Sequence, residues 1–224
     1  ILEYIKFYIT IFLLKKMQPL SEKYRAKNFS DIKGQDAAIK ELRKFIQEFP
    51  KKKSLILYGT AGTGKTCLAH CLASELGYEI FELNASMLRD RRALDEILKH
   101  SLQQSSLYSK GKIILIDEVD GVSGTQDKGG INELAYLIDK SGFPIIITAN
   151  NIWDKKFSKL RNISHMVKLE ELHYSLIFEI VKKIAEKENL RIDENVLKSI
   201  SIKAKGDVRA AINDLQSLTH ETKV

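Results

Sequence analysis

Ser54-Leu55-Ile56-Leu57-Tyr58-Gly59-Thr60-Ala61-Gly62-Thr63-Gly64-Lys65-Thr66 joins a short apolar run to a glycine-rich loop. The loop, Gly59 to Thr66, fits the pattern G-x-x-x-x-G-K-[ST] without substitution. Its three glycines let the backbone curl until successive N–H groups point inward and form a nest for an anion. A helix starting at about Lys65 turns its free N–H groups and positive dipole end toward the same anion. Lys65 adds a charge long enough to reach a β- or γ-phosphate, and the Thr66 hydroxyl can ligate Mg²⁺. Strand, loop and helix in this order predict a site for a nucleoside triphosphate.

What happens at such a phosphate is read from the next apolar strand, Lys112-Ile113-Ile114-Leu115-Ile116, which ends in Asp117-Glu118-Val119-Asp120. Asp117 stands about 50 residues after Thr66, the position from which a carboxylate holds Mg²⁺ through water beside a phosphate loop. Glu118 can accept a proton from an attacking water. Transferring kinases use their substrate's hydroxyl instead, so paired acids favour hydrolysis. Asn150 ends a further strand, Ile145 to Thr148, and would emerge at the same sheet edge, near enough to orient that water. Asn150-Asn151 is equally good turn chemistry. Arg209 lies beside the apolar stripe of a late helix, in line with Asn213 and Gln216. That polar row fits a solvated face, and it equally fits a face turned to nucleotide across a hinge.

Composition sets the outer bounds. The chain has 224 residues and a formal net charge of +7, with the basic excess spread along its length. Such a balance favours a polyanion partner, nucleic acid first, and also fits a solvated basic surface. Two cysteines exclude a disulfide framework and point to a reducing compartment. Cys67-x-x-His70-Cys71 has metal-like spacing but no second ligand pair, and on a helix it reads as core packing. Ile1 to Leu14 is densely apolar yet shorter than the roughly 20 residues of a membrane span. Its basic pair, Lys15-Lys16, follows the apolar run, the wrong order for a secretory signal. Residues 1–16 are expected to be a non-native or disordered extension ahead of a start at Met17, the alternative being an amphipathic anchor helix.

Between these landmarks, strand and helix patterns alternate. A helix carries Ala38, Ile39, Leu42, Phe45 and Ile46 on one face and gives way to Pro50 and a solvated Lys51-Lys52-Lys53 loop. A helix from Lys65 to Leu76 stops at Gly77, a strand follows over 79–83, and another helix over 91–100 begins beside Arg89, Arg91 and Arg92. After Asp120 come a glycine-rich loop, a helix over 131–139, the strand before Asn150, and a short strand at Met166 to Leu169. This order predicts a parallel five-stranded α/β sheet flanked by helices over residues 17–170. From residue 171 only helices remain. Their apolar stripes are Leu176–Ala185, Val196–Ala204 and Val208–Leu218, a small three-helix domain.

These residues together resemble AAA+ ATPases, and more narrowly the archaeal large subunit of replication factor C, the sliding-clamp loader. The resemblance runs from about Lys23 to Thr219. It rests on Lys23-Tyr24-Arg25, Asp31-Ile32-Lys33-Gly34-Gln35, Gly59 to Thr66, Glu82 to Ser86, Asp117 to Gly124, Lys128-Gly129-Gly130-Ile131, Thr148-Ala149-Asn150 and Gly206 to Gln216. The family implies ATP with Mg²⁺, an adenine pocket that includes Ile32 and Lys33, Asn150 as first sensor and Arg209 as second. It implies small subunits of replication factor C, a PCNA-type sliding clamp and primer-template DNA as partners, no membrane, and a cytoplasmic, nucleoid-associated setting. By analogy the DNA donors are Arg89, Arg91, Arg92 and Lys128. The Ser-Arg-Cys motif of the small subunits is absent, because Leu160-Arg161-Asn162-Ile163-Ser164-His165 stands there, so Arg161 is not given its role. The family's collar domain and clamp-binding tail do not lie within these 224 residues, so the chain is expected to be a fragment. Two other readings compete. One is an ATP-binding subunit that does not hydrolyse; the other is a helicase motor, whose acidic box Asp-Glu-Val-Asp resembles but whose second motor domain has no room here.

Overall fold

The computed structural model describes residues 18–84, 110–121 and 128–221. Residues Ala26–Leu172 form one compact unit, built on five strands: β1 (Ser54–Tyr58), β2 (Glu79–Asn84), β3 (Lys112–Asp117), β4 (Ile145–Ala149) and β5 (His165–Lys168). All pairings are parallel and the order is β2-β3-β4-β1-β5. Strand β4 therefore lies between the strand that precedes the glycine loop and the strand that ends in the acids. Parallel strands put every C-terminal end on one edge, so Gly59, Asp117 and Asn150 leave the sheet together.

The central strands are apolar throughout because helices cover both faces. On one face Leu55, Leu57, Ile113, Leu115 and Ile146 pack against α2 (Asp36–Glu48) and α3 (Lys65–Leu76), through Leu42, Phe45, Leu68 and Leu72. On the other, Ile56, Ile114, Ile116, Ile145 and Ile147 pack against α4 (Lys128–Lys140) and α5 (Ser158–Ile163), through Leu134, Leu137, Ile138 and Leu160. Alternate residues of one strand thus serve opposite layers. Arg43 forks Glu75 at 2.8 and 2.6 Å and clips α2 to α3, which holds the Glu75 carboxyl below its ordinary range. Helix α3 ends at Gly77, in the left-handed conformation at φ +66°, a glycine stop.

Several boundaries differ from the sequence reading. Helix α4 begins at Lys128 rather than residue 131, since glycines are tolerated in a first turn. The last strand starts and ends one residue earlier than expected. Helix α5 is too short to show a helical period and was not anticipated. The expected helix over 91–100 and the 1–16 extension lie outside the described residues.

The second unit contains α6 (Tyr174–Lys187), α7 (Glu194–Lys203) and α8 (Val208–Glu221). Their starts are capped by side chains: His173 accepts from the Ser175 amide, Asp193 from Asn195 at 2.7 Å, and Asp207 from Ala210 at 2.8 Å. Ile177, Val181, Ile184, Leu197, Ile200, Ala211, Ile212 and Leu215 are buried. Val196, placed on the apolar stripe from sequence, is 39% exposed, because Leu197, Ile200 and Ser201 form the buried face of α7.

The units divide after Leu172, and the described residues up to Arg25 group with the helices rather than with the sheet. Their short helix α1 (Leu20–Lys23) is tied there by Leu20, whose amide donates to Gln216 Oε1 at 2.7 Å. Lys23 and the Tyr24 hydroxyl both donate to Glu188 at 2.5 Å. Burial and this hydrogen bond push the Tyr24 hydroxyl up to about 12, while Lys23 and Tyr24 hold the Glu188 carboxyl below its ordinary range. Among the described residues no helix is long and apolar enough to cross a membrane.

Candidate functional site: the glycine loop and its acidic neighbours

The loop after β1 folds as its glycines allow. At Gly59 a Cβ would sit 2.7 Å from the Leu169 carbonyl oxygen, so only hydrogen fits. Gly62 and Gly64 take φ values of +69° and +95°, the left-handed region that other residues avoid. The Gly59 amide donates to Ala149 O at 3.3 Å, and the Thr63 hydroxyl donates to Thr60 O at 2.9 Å, closing the loop on itself. Buried Gln35 donates to Glu170 O at 2.8 Å and accepts from the Glu170 amide at 3.4 Å. Its amide nitrogen also reaches Thr63 O at 3.5 Å, which moors the loop to the segment after β5.

Lys65 opens α3 and is only 8% exposed. Its ammonium donates to Gly59 O at 2.9 Å, Thr60 O at 2.8 Å and Asn150 Oδ1 at 2.8 Å. Thr66 donates its hydroxyl to Asp117 Oδ1 at 2.9 Å. Lys65, Thr66, Asp117 and Asn150, singled out from three separate places in the sequence, therefore converge on one sheet edge. Glu118 follows Asp117, is exposed, and takes φ +53°, an uncommon backbone for a residue with a side chain. Asn150 and Asn151 divide the two roles left open for them. Asn151 Oδ1 accepts from the Trp153 amide at 3.0 Å, an Asx turn, while the Asn150 side chain holds Lys65.

Two residues to which the sequence reading assigned no role complete the cluster. Thr148 donates its hydroxyl to Asp117 Oδ1 at 2.5 Å and accepts from the Glu118 amide at 2.9 Å. Asp120 Oδ2 accepts from the Asn150 and Asn151 amides at 3.0 and 3.3 Å. A hydroxyl inside the otherwise apolar strand Ile145 to Ala149 was the available signal, since a buried polar group needs partners.

The other expected residues are placed as follows. Ile32 packs half-buried against the α2–α3 core, and Lys33 is exposed. Arg209 is exposed on α8 in the helical unit, where its row-mate Gln216 is spent on Leu20. Arg161 donates to Ile152 O at 2.6 Å and Asp154 O at 2.8 Å, bracing its own loop. Cys71 is buried and Cys67 half-buried, neither in a disulfide, and His70 lies 3.4 Å from Glu82. Arg89, Arg91, Arg92 and the Lys128 side chain lie outside the described residues.

The donor set fits Mg²⁺. A threonine hydroxyl and a carboxylate 2.9 Å apart are hard oxygen ligands, and Mg²⁺ usually takes one or two protein groups beside phosphates and waters. Among the described residues no group of three His, Cys, Asp or Glu could hold a metal by itself.

Two family models match the chain. One, described as ATPase family associated with various cellular activities (AAA), covers residues 55–173; the other, described as RCF1/5-like, AAA+ ATPase lid domain, covers residues 179–219. Curated proteins named replication factor C large subunit are similar to it. That of Nanoarchaeum equitans is 43% identical over 92% of this chain and 48% of its own length. That of Staphylothermus marinus is 40% identical over 88% of this chain and 47% of its own, and that of Thermofilum pendens 40% identical over 91% and 50%. The chain spans about half the length of these relatives.

Proposed function

We propose that this chain, which belongs to the AAA family of ATPases, is the ATP-hydrolysing part of a clamp-loader large subunit that opens a PCNA-type sliding clamp and loads it onto primed DNA. The observation that carries the reading is the convergence of Lys65, Thr66, Asp117 and Asn150 on the glycine loop, with Glu118 beside them. The likeness to replication factor C large subunits, and the match of the later helices to a lid of that type, supports the narrower assignment.

In this reading the loop amides and Lys65 bind the phosphates of ATP, with Ile32 and Lys33 on the side of the base. Thr66 and Asp117 would hold Mg²⁺, which when bound neutralises charge developing on the phosphate oxygens. Glu118 takes a proton from the attacking water, and Asn150 orients that water or senses the γ-phosphate through Lys65. Arg209 on the lid answers the same phosphate and makes the lid angle depend on it. Full turnover requires an arginine from a neighbouring small subunit of replication factor C, a contribution worth about 10³–10⁵ in related phosphoryl transfer. Contact with primer-template DNA falls to Arg89, Arg91, Arg92 and Lys128, and the protein works at the nucleoid in the cytoplasm.

The test is steady-state ATP hydrolysis by the chain joined to the remainder of a large subunit, alone and then with small subunits, clamp and primed DNA. Low turnover that rises at least tenfold with the partners and collapses in Glu118→Gln is the expected result. Brisk turnover that ignores clamp and primer would remove the clamp-loader assignment. Turnover unchanged by Glu118→Gln would leave a subunit that only binds ATP.

A further inference from the structure

Thr148 is fully buried in β4, where the residues around it, Ile145, Ile146, Ile147 and Ala149, offer its hydroxyl nothing. A hydroxyl in such a place is retained only if it is bonded. Both of its bonds go to the end of the neighbouring strand. It gives its proton to Asp117 Oδ1 at 2.5 Å and takes the Glu118 amide proton at 2.9 Å. Strands β3 and β4 are in register through Ile114–Ile145, Leu115–Ile146 and Ile116–Ile147, so the next rung brings Thr148 level with Asp117.

The two bonds do different things. The first fixes the carboxylate that also meets Thr66 at 2.9 Å. The second holds the amide of Glu118, whose φ of +53° is an uncommon backbone for a residue with a side chain. That bond anchors the Glu118 amide to β4, while the Gly121 amide, donating to Glu118 O at 2.9 Å, closes the turn on its other side. One hydroxyl therefore sets both acids.

We propose that Thr148 is a positioning residue: it orients Asp117 toward the metal and Glu118 toward water, and touches neither itself. This rests on the ATPase reading above. It differs from a packing role because the methyl group of threonine is not what carries it.

The test compares Thr148→Val, which keeps the shape and removes the hydroxyl, with Thr148→Ser, which keeps the hydroxyl. The readout is binding of a fluorescent ATP analogue to the full chain, titrated with Mg²⁺ and repeated in EDTA, with a thermal melt of each variant. Loss of an outer partner of a metal ligand costs about 10–100-fold, so Thr148→Val should raise the half-saturating Mg²⁺ at least about tenfold. Binding in EDTA should stay within about twofold of the parent, because the glycine loop is untouched. Thr148→Ser should match the parent on both counts. Should Thr148→Val not fold, Thr148→Ala carries the same expectation. A wild-type Mg²⁺ response in Thr148→Val, or a loss in Thr148→Ser equal to that in Thr148→Val, overturns the inference and leaves the ATPase reading standing. A parent chain whose nucleotide binding ignores Mg²⁺ overturns the ATPase reading, and this one with it.

Discussion

Lys65 and Asn150 hold each other: the ammonium donates to the Asn150 side-chain oxygen at 2.8 Å, and it also donates to the loop's own carbonyls of Gly59 and Thr60. An ammonium has three protons, so a phosphate that binds Lys65 must take one from a present partner. The carbonyls are part of the loop that shapes the site. Asn150 is a side chain at a strand end and is the partner free to swing.

Asn150→Ala should therefore leave ATP affinity within about threefold of the parent, because the bond it removes is one that phosphate replaces. Hydrolysis in the assembled complex should fall about 100-fold, the scale of loss when a reacting group is misplaced by about 1 Å. Equilibrium binding and steady-state turnover, measured on the same preparation, separate the two effects. A parallel loss of both would make Asn150 a binding residue.

The glycines of the loop should not respond alike to alanine. At Gly59 the added Cβ meets the backbone oxygen of Leu169 at 2.7 Å, and backbone cannot step aside. At Gly64 it meets nothing within 4 Å, leaving only the strain of φ +95°. Gly59→Ala should cost about 2–4 kcal/mol of stability, Gly64→Ala about 1–2 kcal/mol. Denaturant unfolding of the chain orders them, and a Gly64→Ala loss larger than that of Gly59→Ala would contradict the packing.

Much of this arrangement was legible in one dimension. The continuous apolar runs Leu55–Leu57, Ile113–Ile116 and Ile145–Ile147 announced strands covered on both faces, and the glycine pattern announced the loop between strand and helix. The insertion of β4 between β1 and β3 was not legible, because pairing order leaves no local mark on a sequence. The Thr148 hydroxyl stood out in an apolar strand, but what it bonds to was not legible, because its partners lie 31 and 30 residues away. The docking of α1 on the helical unit was equally silent, since Leu20 and Gln216 are 196 residues apart.

That docking should be sensitive to pH at both ends of the scale. The Tyr24 pKa is raised from 10.0 to about 12, so the folded state binds that proton more tightly than the unfolded chain does. The stabilisation is complete below pH 10.0 and is lost as pH rises toward about 12. Glu188 is lowered from 4.5, so its contribution is present above pH 4.5 and is lost as pH falls through its folded value. Tyr24→Phe should abolish the alkaline loss and keep the acid one. Thermal melts across pH, with an ultraviolet titration of the tyrosines, check both limbs; an alkaline limb unchanged in Tyr24→Phe would assign it elsewhere.

Trp153, the only tryptophan in the chain, is 62% exposed and stands in a position to report on the site. Its ring meets Tyr58 edge-on at 5.7 Å, and Tyr58 is the residue just before Gly59. Arg161 lies over it at 5.6 Å. Its amide is fixed by Asn151 at 3.0 Å, and the Asn150 and Asn151 amides are pinned by Asp120 at 3.0 and 3.3 Å. If phosphate takes the Asn150 place on Lys65, the released strand end should move this loop and change the environment of the indole. Adding ATP should then shift the Trp153 emission, and Lys65→Ala should abolish the shift by abolishing binding. Asp120→Ala separates the link from the site: without its carboxylate the loop is no longer pinned to the acidic strand end. Nucleotide affinity should stay within about threefold while the emission shift largely disappears, since Asp120 touches the Asn150 backbone and not the glycine loop. An undiminished shift in Asp120→Ala would mean that Tyr58 alone carries the signal, directly through β1.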